Sequence, residues 1–171
     1  MIQYKELELP GVWLLTPQVF GDERGSFTEV LRFPEFAEKV SPCPFIQENE
    51  SFSTRGVLRG LHLQHGEVID VAVDLRMQSP TFGRHVAVRL SGTTKQQLYI
   101  PRGFAHGYLV VSDEAIFSYK VDNGYSPQDE YHLPFDPEIG VDWLQYGVPR
   151  EQLILSPKDL EGTSLQEYLK G

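Results

Sequence analysis

The 171-residue chain is 40% hydrophobic and 12% aromatic, with 12 prolines and 15 glycines; this is the composition of a turn-rich globular protein with core enough for a single domain, residues 1–171. A net charge of −9 with no basic block disfavours nucleic acid or an anionic membrane as the main partner. One cysteine, Cys43, excludes an intrachain disulfide, and the N-terminal MIQYKELELP has charges where a signal core would be apolar; no stretch approaches a membrane span, and a cytoplasmic location is expected.

In chain order, Gly11-Val12-Trp13-Leu14-Leu15 is an apolar run closed by Pro17. Asp22-Glu23-Arg24-Gly25-Ser26-Phe27-Thr28-Glu29 reads most plainly as a charged turn before a strand. Phe33, Phe36, Ala37 and Val40 have helical spacing, and Pro34 suits a first turn, so a helix is expected there. Phe45, Gln47 and Asn49 alternate with Ile46 and Glu48, which places Gln47 and Asn49 on one face of a strand.

The next stretch, VLRGLHLQHGEVIDVAVDL, alternates like two strands joined by a tight turn, yet its first half holds Arg59 and His62. Strict alternation puts those two on opposite faces, so a local departure from strand geometry is expected near Gly60. Ile69, Val71, Val73 and Leu75 then alternate with Asp70, Ala72 and Asp74, and Val86, Val88 and Leu90 with His85, Ala87 and Arg89. Apolar runs at 97–100, 107–111 and 115–121 follow, with turn signals between them, and Ser164 with Glu167 forms a capping-box pattern for a last helix. Strands this short and numerous, with no helices between them, predict an all-β antiparallel sandwich or barrel. The Pro-rich stretch from about 134 to 162 reads as a strap over the core.

Three further groups of residues have chemical potential. His106 follows the tight Pro101-Arg102-Gly103 approach to a strand, and Tyr119 shares a face with Phe117 and Val121, where a plain core tyrosine is a serious rival. His62, His65 and Glu67 suggest a metal site, but on a strand the two imidazoles point apart, so none is expected. Neither a nucleophile elbow nor a Gly-rich phosphate loop is present.

Together, VFGDERGSFTE, FIQENESFS, GVLRGLH, DVAVDLR, SPTFG, LYIPRGFAHGYLVVSD, the Tyr119–Tyr125–Pro127 pattern, and IGVDW followed by LSPKD resemble the dTDP-4-dehydrorhamnose 3,5-epimerase family, in family order over nearly the whole chain. The resemblance implies a cupin-like antiparallel jelly roll with short peripheral helices, a homodimer, and a dTDP-4-keto-6-deoxyhexose as substrate. It implies inversion of C3 and C5 of dTDP-4-dehydro-6-deoxy-D-glucose in L-rhamnose synthesis, with no metal or organic cofactor; a mono-epimerase or a disabled nucleotide-sugar-binding relative is the alternative. By the same resemblance His62 is the base, Asp159 orients it, and Tyr119 is the acid on the opposite face. Arg24 and Arg59 match positions that hold the diphosphate, Gln47, Asn49 and His106 line the pocket, Lys158 in LSPKD joins the binding set, and Tyr125 stacks on thymine. Phe27 and Glu29 match residues that reach the nucleotide partly across a dimer interface.

One departure stands out. The family usually has roughly a dozen more residues after the LHLQ equivalent, including a strand whose lysine lies beside the developing oxyanion. Here Gln64 runs through His65-Gly66-Glu67 into the next strand. Removing one strand and its turn from an antiparallel sheet reverses every later strand. A broken or distorted connection at residues 64–68 is therefore expected, marking a segment lost from the sequence.

Overall fold

The computed structural model describes residues 1–59, 63–124, 138–160 and 164–170. The described residues form twelve strands, β1 (Ile2–Glu6), β2 (Trp13–Pro17), β3 (Val19–Asp22), β4 (Gly25–Thr28), β5 (Gln47–Thr54), β6 (Leu58–Arg59), β7 (Leu63–His65), β8 (Glu67–Asp74), β9 (His85–Ser91), β10 (Gln97–Tyr99), β11 (Phe104–Val110) and β12 (Glu114–Val121). Each apolar run singled out above lies in or overlaps one of them.

The strands form sheets in the orders β1-β2-β10, β6-β11-β8-β9 and β5-β12-β7, with β3 and β4 paired as a separate hairpin. Every ladder is antiparallel. This is the all-β cupin-like jelly roll. Its inner core joins the sheets: Val68 and Ala72 of β8, Leu90 of β9, Leu98 of β10, Tyr108 and Val110 of β11, and Ala115 and Phe117 of β12 form one buried cluster.

The alternate residues of β8, Ile69, Val71 and Val73, face a second cluster with Ile139, Trp143, Val148 and Leu165. The C-terminal segment thus straps over the outside of that sheet, as the Pro-rich composition suggested, and β8 is covered on both faces. Asp70 and Asp74, which an amphipathic reading would turn to solvent, are buried.

Helix α1 (Phe33–Lys39) has Pro34 in its first turn and buries Phe36. Helix α2 (Pro157–Leu160) begins at the LSPKD stretch. Helix α3 (Leu165–Tyr168) is capped reciprocally by Ser164 and Glu167, the box legible in sequence.

The expected break at residues 64–68 does not occur, but the expected distortion does: the β7–β12 ladder shifts register beside it, pairing Ile116 with His65 and Phe117 with Leu63. The chain runs continuously from β7 into β8 with Gly66 as the single residue between them, at φ +84°. The two strands lie in different sheets: β7 pairs with β12, and β8 with β9 and β11. The objection from strand direction assumed a hairpin within one sheet, whereas a corner between sheets imposes no such reversal. Hydrogen bonds fix the corner, from Gly92 N to Gly66 O (2.9 Å) and from Glu67 N to Ser112 Oγ (2.8 Å).

Candidate active site

Among the apolar side chains of the barrel interior stands a group of polar ones. On β5, Gln47, Asn49, Ser51 and Ser53 share a face by alternation. Across the β5–β12 ladder Asn49 stands opposite Tyr119 and Ser51 opposite Phe117. Gln47 Nε2 donates to Asn49 Oδ1 at 2.6 Å, which orients both amides. Tyr119 is half-buried and packs against the inner core; it also lines a pocket of about 310 Å³ with Glu48, Ser118 and Lys120 of the other strand faces and with Phe45 and Tyr99, a pocket that Gln47, Asn49 and His106 do not line.

The opposite sheet contributes Asp70, His106 and Tyr108. Tyr108 is fully buried, stacks on Phe117 (centroids 4.1 Å apart, planes within 6°), and its hydroxyl lies 3.3 Å from both Ser51 Oγ and Ser53 Oγ. His106 alternates with Phe104, Tyr108 and Val110, residues of the inner cluster, so it faces the same interior. Its Nε2 hydrogen-bonds Asp70 Oδ1, two positions along β8 from its own ladder partner Ala72.

Arg59 ends β6, with its backbone opposite Tyr108. Gly60, Leu61 and His62 lie outside the described residues, as does Tyr125, so the base and the thymine-stacking ring have no described geometry. The flanking elements bear on them. β6 belongs to the sheet of β11 and β7 to the sheet of β12, so the described strands on either side lie in different sheets. A parallel bridge between Val57 and Ile154, with Ile154 N bonded to Gly56 O at 2.9 Å, ties the LSPKD segment to the strand that leads to His62. At the start of α2, Asp159 Oδ2 accepts from Ser156 Oγ (2.7 Å) and Ser156 N (3.1 Å), and Lys158 is exposed beside it.

The N-terminal candidates stand apart from this interior. Arg24 sits on the β3–β4 hairpin, its side chain 85% exposed and paired with Asp22 at 2.5 Å. That hydrogen bond holds the Asp22 carboxyl below, and the Arg24 guanidinium above, their ordinary values. Phe27 is 70% exposed, and Glu29 pairs with Arg32 at 2.7 Å. The structure therefore gathers Gln47, Asn49, Tyr119 and His106, and leaves Arg24, Phe27 and Glu29 at the surface.

Of the lysines nearest this region, Lys120 alternates with Tyr119 on the other face of β12, bonded to Glu48 at 2.5 Å, and Lys95 lies in the turn before β10. Asp70 was missed in the sequence. Its only signal was an acid in a run of valines, which alternation explains as a solvent face.

A polar cluster of amides, hydroxyls and an imidazole inside a double-sheeted antiparallel barrel defines a cupin-like enzyme of small-molecule chemistry. The family model for dTDP-4-dehydrorhamnose 3,5-epimerase matches residues 6–167, and the chain belongs to that family. It is 46% identical to the dTDP-4-dehydrorhamnose 3,5-epimerase of Shigella flexneri over 170 residues, covering 91% of each chain. With that of Methanothermobacter thermautotrophicus it shares 42% over 178 residues, 96% of this chain and 95% of the relative. The crystal structure of the 3,5-epimerase from Legionella pneumophila in complex with dTDP-4-keto-L-rhamnose superposes with a TM-score of 0.89 at 38% identity, covering 97% and 94% of the two chains.

These alignments bear on the short corner. The Shigella alignment spans 170 residues but uses 91% of the 171 here, about 156, leaving gaps that total about 14. The Methanothermobacter alignment spans 178 and uses 96%, about 164, again leaving about 14. The shortfall has the size of the family's extra loop and strand after the LHLQ equivalent.

Proposed function

We propose that this chain is a dTDP-4-dehydrorhamnose 3,5-epimerase, inverting C3 and C5 of dTDP-4-dehydro-6-deoxy-D-glucose. The observation that carries the reading is the polar set Gln47, Asn49, Tyr119 and His106 on the inner faces of a barrel that superposes on an epimerase holding dTDP-4-keto-L-rhamnose.

A proton beside a ketone becomes removable when the enolate is stabilised, so the reaction needs a base, an acid on the opposite face and hydrogen-bond donors at the oxygen. In this reading His62 is the base and Asp159 orients it; the Val57–Ile154 bridge supports their proximity. Tyr119 returns the proton from the other side. Gln47, Asn49 and His106 hold the sugar, Arg59 and Arg24 hold the diphosphate, Lys158 joins the substrate-binding set, and Tyr125 stacks on thymine, with Phe27 and Glu29 completing the nucleotide site of a second copy. No step calls for a metal or organic cofactor. The exposed β3–β4 hairpin supports a homodimer. Among the described residues no helix is long and apolar enough to cross a membrane. On the sequence, the reading is of a single-domain enzyme in the cytoplasm.

The test is incubation with dTDP-4-keto-L-rhamnose in D₂O. Deuterium at both C3 and C5 is expected. Exchange at one carbon alone would assign a mono-epimerase, the activity in the name of a Streptomyces niveus 3-epimerase 35% identical to this chain. Binding with no exchange would assign a disabled relative, which the shortened chain and the missing lysine motivate.

A further inference from the structure

His106 and Asp70 form a buried imidazole–carboxylate pair in the barrel interior. The His106 side chain is 10% exposed and that of Asp70 1%. A carboxylate oxygen only accepts, so the His106 nitrogen facing it, Nε2, carries a proton and donates. Nδ1 is then the free end of the ring. It is buried and has no hydrogen-bond partner among the described residues. Neighbouring polar groups are engaged with one another: Tyr108 with Ser51 and Ser53, and Gln47 with Asn49.

A buried nitrogen without a partner costs stability, and native folds keep few of them. This one sits on the inner face of β11, on a ring locked from its far side, where a ligand atom can complete it. Asp70 reaches its position because β8 is covered on both faces, so alternation points its carboxylate into the barrel beside β11.

We infer that Asp70 is a positioning residue of the epimerase site, fixing the orientation and tautomer of His106 so that Nδ1 is presented to an oxygen of the 4-keto sugar. The inference rests on the proposed function and deepens it. Asp70 touches only the histidine, and its effect on the sugar passes through the imidazole. In the neutral ring Nδ1 offers a lone pair, which a sugar hydroxyl can meet as donor.

The test combines a variant and a spectrum. In Asp70→Asn the side chain keeps its shape, but an amide beside Nε2 can donate instead of accepting, which sends the ring proton to Nδ1. Deuterium exchange should fall about a hundredfold, the cost of a misplaced active-site group, while the melting temperature stays close to that of the parent. Exchange at the parental rate, or a loss that follows melting alone, overturns the inference. The imidazole ¹⁵N spectrum of the unaltered protein, assigned with a His106→Gln variant, decides the matter even if Asp70→Asn does not fold. In alkaline buffer His106 Nδ1 should read as a nitrogen without a bound proton and should move with dTDP-4-keto-L-rhamnose but not with dTDP. An Nδ1 signal unmoved by the saturating sugar nucleotide, in a protein that exchanges deuterium, overturns this inference and leaves the epimerase reading standing. A protein that binds and shifts Nδ1 without exchange loses the epimerase reading and keeps the Asp70–His106 assignment. One that neither binds nor exchanges loses both.

Discussion

Tyr119 on β12 stands directly opposite Asn49 on β5, and Gln47 holds the Asn49 amide from the same strand. Tyr119 is thus carried opposite an oriented amide, while its ring packs against the core. Tyr119→Phe removes only the hydroxyl. We expect the melting temperature to be nearly unchanged and deuterium exchange to fall by about 10²–10⁴, the usual contribution of a positioned acid. An exchange rate equal to the parent's would reduce Tyr119 to a core tyrosine.

Much of this interior was legible in the sequence, because alternation assigns faces without any knowledge of partners. Gln47 and Asn49 on one face, Tyr119 with Phe117, and the Ser164–Glu167 cap all follow from spacing within a few residues. Asp70 was not legible, because its meaning depends on His106, 36 residues further on, and on the strap of residues 138–160 that covers the back of β8. The corner at Gly66 was misread for a related reason. Two adjacent alternating runs look like a hairpin, and nothing in either run shows that they belong to different sheets.

Asp74 makes a prediction about acid stability. Its fully buried carboxylate accepts from Arg76 (2.8 Å), Ser79 Oγ (2.6 Å) and Thr81 Oγ1 (2.6 Å). Burial alone would raise its pKa, but those hydrogen bonds outweigh it and hold the group well below the usual carboxylate range. A carboxyl depressed in the folded state stabilises the fold above its unfolded value, about 3.9, and that stabilisation fades as the pH falls toward the depressed value. Asp74→Ala, which leaves Arg76 without its partner and three donors unmet, should cost about 3–5 kcal/mol near neutrality. The difference from the parent should narrow below about pH 4. Melting curves across pH test it; a difference independent of pH would sink the carboxylate argument.

The β3–β4 hairpin predicts the oligomeric state. Its two strands pair only with each other, and Phe20 and Phe27 are 51% and 70% exposed. Apolar side chains gathered on a projecting ribbon mark an interaction surface. Light scattering should give a dimer, and the double variant Phe20→Ser, Phe27→Ser should give a folded monomer with weakened dTDP binding. A monomeric parent protein would remove the hairpin from the site.

Gly66, like Gly56, whose added Cβ would lie 2.0 Å from Gln152 O, is among the most demanding of the described glycines. Its φ of +84° is one that side-chain-bearing residues rarely adopt. A Cβ there would lie 2.2 Å from Glu114 O and 2.6 Å from Ser112 Oγ, inside contact distance of a backbone oxygen that cannot swing away. The same corner brings Ser112 Oγ to Glu67 N and Gly92 N to Gly66 O, so displacement would strain three segments together. Gly66→Ala should therefore cost more than the roughly 1–3 kcal/mol of an unfavourable backbone conformation alone, whereas Gly124→Ala, with open space around the added Cβ, should be close to neutral. Urea unfolding of the two variants makes the comparison. Equal stabilities would mean that the chain does not turn between its sheets at Gly66, and that β7 and β8 are joined in some other way.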